Sequence, residues 1–429
     1  MKIKLKTLKS IYLVLYLFIL IFAPPFFYKT NLILAAWSVF LILKEYQKTY
    51  RQVLGTNGQK RWMVMIAVLL AYAMIIIVLN GILFHDLVQV RHYASLFNRY
   101  MVLTITLLSC STYCICYFRK NGFGIEDFIR FIIYAGLIES GLVFLSFISS
   151  GFHNYLLVLL KKFGDSTLYG NAWYIEIRSY GFAGTLLDTF GLGMGLLAGI
   201  SLFYGVLYEK RFLFYSVLIA IAGTIDSRTT ALIYLISVFV IFIYSVCFLK
   251  IKLLVWCGIL VIGVSGAAGI IMGFLENVNN ATYVWIMGAF ESIKQLFFSG
   301  KSTGTFEILF SSSFWKLPNY FQFVFGTGHS LYQAEGYLHS DVGYINDLWF
   351  VGIIGIVFVY GNFFMLIRES YVSYSDILVK MSCIFIGSSF LVFNIKGCAM
   401  GYNPGMAVML SLLFVTAFLS RDKRLVRRS

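Results

Sequence analysis

Two arginines lie where chemistry on a phosphorylated substrate would need fixed positive charge. Arg178 precedes a long apolar run, and Arg228 stands in the short polar sequence Asp226–Thr230 between two apolar runs. The planar guanidinium group of arginine binds phosphate oxygens in pairs, so both residues are candidates for binding a diphosphate. For Arg178 the alternative is an ion pair with Glu176. For Arg228 it is an ion pair with Asp226 or contact with lipid headgroups.

A histidine and an acid precede another apolar run, in the sequence His339-Ser340-Asp341. Either Asp341 or His339 could accept a proton from a sugar hydroxyl, so both are candidate catalytic residues. Asp347 lies further into the same run and is a candidate supporting residue. The alternatives are that Ser340 or Asp341 caps the helix and that His339 is a solvated loop residue.

Two further acids stand inside apolar runs that are long enough to cross a membrane. They are Glu139 and Asp188. A carboxylate in a membrane is costly, which makes each a functional candidate; the alternative is a hydrogen-bonded structural acid inside the bundle. Arg99 and Arg91 flank another polar loop and are weaker candidates, because arginines in such positions often contact solvent or headgroups.

The sequence Phe325–His329 has glycines at 326 and 328, which predict a turn. As a phosphate-binding loop it is a weak signal, because no full P-loop is present. His329 is a candidate supporting residue of the same region. The residues before it are rich in aromatic side chains, which could stack on sugars or form an interfacial belt. These aromatic residues are Phe306, Phe310, Phe314, Trp315, Tyr320, Phe321, Phe323 and Phe325.

The composition requires a membrane around most of the chain. Of 429 residues, 60% are hydrophobic and only 12% are charged, and the mean hydropathy is +0.83. The formal net charge of +15 comes from residues between apolar runs, so we expect no nucleic acid as a partner. The seven cysteines fall almost entirely within apolar runs, where they are typical of small core residues. We expect neither a metal ion nor a cofactor.

The apolar runs that must position these candidates predict an all-α polytopic membrane protein. A membrane span needs about 20 apolar residues, and about twelve runs qualify, although two are short. The runs are 11–27, 31–43, 62–84, 101–118, 129–148, 181–207, 212–226, 229–249, 253–274, 345–367, 377–394 and 405–420. We expect a single transmembrane domain over residues 1–429, without an internal repeat.

The distribution of positive charge predicts which side of the membrane each loop faces. If the spans cross alternately, lysine and arginine favour the side of the two termini by about two to one, so both termini are predicted to be cytoplasmic. The opposite side then has all five histidines and two large polar loops, 151–180 and 275–343. In these loops, Asn154–Phe163 and Tyr283–Phe298 have the spacing of amphipathic helices that lie at the interface.

Three motifs, taken in order, resemble those of a known family. They are Arg178-Ser179-Tyr180-Gly181-Phe182 before a span, Ser227-Arg228-Thr229 in a hairpin, and Ser340-Asp341-Val342-Gly343-Tyr344 leading to Gly352-Ile353-Ile354-Gly355. In layout and order the chain resembles the O-antigen and capsular polysaccharide repeat-unit polymerases of the Wzy type. Motif identity covers about forty residues.

The resemblance implies a GT-C-like fold and a metal-independent glycosyltransferase in the bacterial cytoplasmic membrane. Its substrates would be polyprenyl-diphosphate-linked oligosaccharides, and a flippase and a chain-length regulator would be its partners. Carried over to this sequence, Arg178 and Arg228 would hold the leaving diphosphate, and Asp341 or His339 would activate the acceptor. Supporting roles would then fall to four other residues, namely Asp188, Asp347, His329 and Arg99.

The sequence departs from the family at one point. The family pattern has ten residues between the arginine and a glycine, but after Arg178 that position is Thr189, and Gly191 comes two residues later. The related O-antigen ligases are an alternative, and their pattern is a histidine, an asparagine or serine, nine further residues and then GxxG. Here His339-Ser340 is followed by eleven residues before Gly352. Here Asp341 occupies the position of that histidine, which favours a polymerase. A flippase of lipid-linked oligosaccharides is the alternative from another class. It would need charge at mid-depth and matching halves, and neither is evident.

Overall fold

The computed structural model describes residues 2–27, 29–47, 57–84, 97–163, 178–184, 187–247, 258, 273, 280–299, 307, 309, 311–328 and 340–419. These residues form helices joined by turns and short extended segments, and they contain no strand. The all-α prediction is therefore confirmed for the described part of the chain. Most of the predicted span 253–274 lies outside it.

Fourteen α-helices follow one another along the described residues. They are α1 (Lys2–Phe22), α2 (Thr30–Glu45), α3 (Asn57–Phe84), α4 (Leu103–Asn121), α5 (Ile125–Ile148), α6 (Ser150–Phe163), α7 (Asp188–Leu207), α8 (Arg211–Asp226), α9 (Thr229–Cys247), α10 (Asn280–Ser299), α11 (Tyr320–Phe325), α12 (Gly343–Ser373), α13 (Ile377–Phe393) and α14 (Pro404–Leu419). A π-helical segment, Phe97–Val102, leads into α4.

Six of the described helices are long and apolar enough to cross a membrane, namely α3, α4, α5, α7, α9 and α12. The shorter helices α13 and α14 are also apolar. On α3 and α9, large apolar side chains such as Ile82 and Phe239 are exposed, as expected for surfaces that face lipid tails. The chain is therefore a multi-pass membrane protein. The amphipathic stretches predicted in the two polar loops correspond to α6 and α10.

Helix α7 is the most enclosed of these candidate spans, because glycines let its neighbours approach closely. A Cβ atom added at Gly191 or Gly195 would overlap the side chains of Ser227 or Ile233, and one added at Gly199 would overlap a phenylalanine of α13. The four-residue spacing of these glycines in the sequence predicts this close packing. As a result, the start of α7 lies directly against the turn between α8 and α9.

Contacts group the helix ends into two sets, as alternate crossing predicts. At one end, which we call the predicted outer end, contacts join Gly184 to Phe22, Asp188 to Thr229 and Lys396, and Tyr344 to Asn394. At the opposite end, contacts join Arg61 to Glu369, Lys120 to Glu45, and Tyr208 to Asp376. The predicted outer end thus gathers the starts or ends of α1, α7, α9, α12 and α13.

Helix α12 is broken near this end, at Gly352, where φ is 65°. The break leaves the carbonyl groups of Trp349 and Phe350 without their usual helical donors. The amide of Thr327 donates to the first (2.7 Å) and the amide of Gly328 to the second (2.9 Å). In a membrane such backbone groups need partners from the protein, and the turn predicted from its two glycines supplies them.

Two side-chain contacts stabilise this break. Tyr360 donates a hydrogen bond of 2.6 Å to Asp347, which joins the two halves of α12 across Gly352. From α3, the amide of Asn80 donates to the carbonyl of Gly326 at 3.2 Å. Asp347, predicted as a supporting site residue, thus has a structural contact within its own helix.

Candidate functional site

The turn between α8 and α9 is very short, and a backbone hydrogen bond closes it on each side. The amide of Ser227 donates to the carbonyl of Gly223 at 2.8 Å, and the amide of Thr230 donates to the carbonyl of Ser227 at 3.0 Å. Only Ser227 and Arg228 separate the two helices. This geometry fixes the backbone of Arg228 at the predicted outer end of the bundle, with its side chain half-buried.

Arg178 lies in an extended segment that precedes α7, so the helix begins later than the predicted span 181–207. The buried carboxylate of Glu139 on α5 accepts hydrogen bonds from the amides of Phe182 (3.2 Å) and Ala183 (3.0 Å). A Cβ atom at Gly181 would overlap this carboxylate, so the close approach requires glycine. Glu139 therefore holds the segment on which Arg178 stands.

The two arginines meet at Trp285 of α10. The central guanidinium carbon of Arg178 lies 4.8 Å from the centroid of the indole ring, and that of Arg228 lies at the same distance of 4.8 Å. Arg228 also donates a hydrogen bond of 3.3 Å to the backbone carbonyl of Trp285. Arg178 and Arg228, which are fifty positions apart in the sequence, thus contact one side chain. Their guanidinium carbons can lie no further apart than twice the distance from each carbon to the ring centroid.

Asp226 lies beside this arginine pair and is completely buried. Among the described residues, neither of its carboxylate oxygens accepts a hydrogen bond. Arg178 attracts it electrostatically and Asp188 repels it. The ion pair of Arg228 with Asp226, one alternative from the sequence, is not formed. The alternative partner of Arg178, Glu176, lies outside the described residues.

Asp188 is the first residue of α7 and connects three parts of the site. Its Oδ1 atom accepts hydrogen bonds from Thr229 (2.7 Å) and Ser227 (3.5 Å), on either side of Arg228. The same atom forms an ion pair of 3.0 Å with Lys396 from the loop between α13 and α14. These contacts agree with a supporting role for Asp188, because they hold the turn that carries Arg228 and bind a third cation, Lys396.

The start of α12 reaches the site through the loop that carries Lys396. The amide of Tyr344 donates to the carbonyl of Asn394 at 3.2 Å, and Gly343 packs so closely on Gly397 that a Cβ atom would overlap its carbonyl oxygen. Asp341, which is partly exposed, stands two residues before Gly343. Asp341 is thus joined to the arginine pair through a loop rather than through a direct hydrogen bond or ion pair with either arginine.

Ser340 has a structural role in this start. It donates a hydrogen bond of 2.7 Å to the carbonyl of Phe314 and accepts one of 3.2 Å from the amide of Val342. The N-cap of α12 is Val342, and no side chain caps the helix there. The alternative in which Ser340 or Asp341 caps this helix is therefore not realised, because Val342 occupies the N-cap position.

Several predicted site residues cannot be compared with the structure. His329 and His339 lie outside the described residues, as does Arg91, and of Arg99 only the backbone is described, in the π-helical segment. Their roles stay predictions.

A large groove of about 1220 Å³ lies between α3 and α12, away from the arginine pair. Apolar side chains such as Val68 and Val357 line it, and Arg61 and Glu369 stand at the end opposite the predicted outer end. Arg178, Arg228 and the acids near them, Asp188 and Asp226, do not contribute to its lining. The groove is therefore separate from the candidate site.

Sequence reasoning missed two residues of the site, Trp285 and Lys396. For Glu139 the hydrogen bonds to Phe182 and Ala183 match the alternative from the sequence, a structural acid inside the bundle. Lys396 had a usable signal, because it is a lone cation in a short loop between apolar runs, as Arg228 is. Trp285 had only a weak one, since tryptophan on an amphipathic helix is usual at a membrane interface.

Within the described part of the chain, no three histidine, cysteine, aspartate or glutamate side chains converge as metal ligands would. The site is instead a cluster of arginine, lysine, carboxylate and hydroxyl groups around an indole ring. In comparisons with known proteins, no family model and no curated protein matches the chain.

Proposed function

We propose that the chain is a metal-independent glycosyltransferase that polymerises polyprenyl-diphosphate-linked oligosaccharides on the outer face of the bacterial cytoplasmic membrane. The observation that carries the proposal is the meeting of Arg178 and Arg228 at one indole ring, beside a third cation, Lys396. Fixed guanidinium groups at the rim of an apolar bundle are suited to a diphosphate whose lipid tail stays in the bilayer.

In the proposed reaction, a hydroxyl oxygen of the acceptor sugar bonds to the anomeric carbon of the donor. The bond from that carbon to the lipid diphosphate breaks, and its electrons leave with the diphosphate oxygen. Arg178 and Arg228 offset the negative charge that develops there, which is the largest electrostatic demand of the step. Asp341 takes the proton of the acceptor hydroxyl.

The electrostatic setting favours this use of the arginines. Charges in a partly desolvated site interact more strongly than charges in water, because the effective dielectric constant is lower. The described site has the three cations Arg178, Arg228 and Lys396, and Lys396 forms an ion pair with Asp188. The two guanidinium groups lie against one indole ring, so an anionic ligand bound between them would offset their mutual repulsion.

The finer architecture belongs to the same proposal. We propose about twelve spans in a GT-C-like arrangement, with both termini in the cytoplasm and loops 151–180 and 275–343 outside. Helices α6 and α10 then cover the site from the outer side, and a flippase and a chain-length regulator act with the protein. Whether the product is O-antigen, capsule or exopolysaccharide does not affect the chemistry.

Replacement of the arginines tests the function. Arg178→Ala and Arg228→Ala should each reduce polymer by at least 100-fold, which is the usual loss when a charge-stabilising donor is removed. Single repeat units should then accumulate on the outer side of the membrane. The matched control is Arg61→Ala at the opposite end of the bundle. Polymer of normal amount and length in both site variants would refute the proposal.

The glycan intermediate that accumulates in an inactive variant distinguishes a polymerase from a flippase or a ligase. A flippase defect would leave single repeat units on the cytoplasmic side, and a ligase defect would leave full-length polymer on the carrier lipid. Membrane vesicles of known orientation, treated with a glycosidase that cannot cross the bilayer, distinguish the two sides.

A further inference from the structure

We infer that Trp285 is a positioning residue that aims both arginines at the two phosphates of a diphosphate. The inference deepens the proposed function, on which it rests for the identity of the natural ligand. Its geometric basis is independent of that function: one indole ring lies 4.8 Å from each guanidinium carbon.

The indole ring suits this task because of how guanidinium groups bind. The flat face of arginine stacks on an aromatic ring, while the N–H groups point outward in the plane of the fork. Stacking therefore fixes the orientation of the guanidinium group and leaves free the N–H groups at its edge, which form bidentate hydrogen bonds to phosphate. The ring also attracts both cations, which offsets the repulsion between two like charges held close together.

Trp285 is itself held in place, so it can act as a fixed platform. The side chain is buried, and together with Ile286 it packs against Phe147 at the end of α5 and against Tyr283. Arg228 donates to the backbone carbonyl of Trp285, which ties α10 to the turn between α8 and α9. A ring fixed by α5, α10 and this turn stays in position when a ligand enters.

Two arginines on one platform also imply selectivity. A diphosphate can give each guanidinium group its own phosphate, whereas a monophosphate can satisfy only one group fully. The protein should therefore prefer inorganic pyrophosphate to orthophosphate, and the preference should depend on Trp285.

The test is calorimetric titration of the full-length protein in lipid nanodiscs with pyrophosphate and with orthophosphate. Trp285→Leu removes both cation–π contacts, so it should weaken pyrophosphate binding about tenfold and reduce the preference for pyrophosphate. Trp285→Phe, which keeps an aromatic face, should lose less. The matched control is Trp37→Leu on α2, where the tryptophan is exposed to lipid. Thermal unfolding of each variant reports whether the bundle is intact.

Unchanged pyrophosphate affinity in an intact Trp285→Leu variant would overturn the inference, and so would tighter binding. Tighter binding would mean that the ring blocks the anion position instead of supporting it. Failure of the proposed function looks different: the arginine variants would then make normal polymer while pyrophosphate binding still depended on Trp285. If the arginine variants stop polymer growth and Trp285→Leu changes neither polymer nor affinity, only the inference fails.

Discussion

Two regions at the predicted outer end interrupt helices in different ways. In the kink corner, the turn at Gly326–Gly328 packs on the break at Gly352, and backbone amides donate to the carbonyl groups that the break exposes. In the arginine corner, formed by Arg178, Arg228, Trp285, Asp188 and Lys396, charged side chains are held by an aromatic ring, hydroxyl groups and one ion pair.

The difference between the corners separates structure from function. The carbonyl groups of Trp349 and Phe350, which the break at Gly352 exposes, both accept hydrogen bonds from backbone amides of the Gly326–Gly328 turn, so the kink corner stabilises its own break. The arginine corner holds two guanidinium groups against one indole ring, and Asp226, which is buried beside them, accepts no hydrogen bond from the described residues. Paired backbone groups need no ligand, whereas two like charges held close together are stabilised by an anion.

The largest effect on the free energy of unfolding is expected in the kink corner. Gly352→Ala should destabilise the protein by about 3 kcal/mol or more, because the residue has a positive φ and a Cβ atom would overlap the backbone of residues 324 to 326. The unfolding midpoint in detergent measures the loss. The control is Gly361→Ala in the same helix, where a Cβ atom meets nothing within 4 Å. Equal midpoints for the two variants would mean that the corner is not a closed structural unit.

A smaller effect on stability, but a large one on function, is expected at Gly181. A Cβ atom there would overlap the carboxylate of Glu139, so Gly181→Ala should displace the segment that carries Arg178. We expect a loss of about 2 kcal/mol from the disturbed buried hydrogen bonds and a strong loss of polymer. Gly141→Ala, two residues from Glu139, is the control, since its Cβ atom would meet nothing. Normal polymer from Gly181→Ala would show that Arg178 needs no fixed segment.

The sequence predicts an all-helical multi-pass membrane protein, because hydropathy reports directly on the cost of placing side chains in lipid, and six of the described helices are long and apolar enough to span. It also predicts the two amphipathic helices, the turn at Gly326 and the close packing of α7. Hydropathy contains no information about backbone partners, so the break at Gly352 and the late start of α7 at Asp188 could not be predicted from it. Both depend on hydrogen bonds to residues far away in the chain.

The site was predicted only in part for a similar reason. The sequence identifies Arg178 and Arg228 because each lies directly before an apolar run on the predicted outer side, where a guanidinium group can bind a phosphate. The sequence does not identify Trp285, because its role depends on the tertiary fold. There α10 contacts Arg228 and Arg178, which lie 57 and 107 positions earlier in the sequence. A local pattern contains no trace of such a contact.

An intermediate effect on stability is expected when the ion pair of Lys396 with Asp188 in the arginine corner is removed. Side chains of Lys396 and Asp188 are 28% and 34% exposed, so solvent screens the pair only partly. A double-mutant cycle with Lys396→Met and Asp188→Asn should give a coupling energy of about 1 kcal/mol. Unfolding in detergent at low and high salt measures it, and salt should reduce it. A coupling near zero at low salt would remove Lys396 from the site.

The smallest effect is expected for the ion pair of Arg61 with Glu369 at the opposite end. Its atoms are closer, at 2.8 Å, than the 3.0 Å of Lys396 and Asp188, yet the Arg61 side chain is 57% exposed. Water screens the attraction and competes for both groups, so Arg61→Gln should cost less than about 0.5 kcal/mol and leave polymer unchanged. If this change cost more than the loss of Lys396, distance would outweigh solvent exposure in this protein. The contrast between the arginine corner and ordinary surface charge would then lose its physical basis.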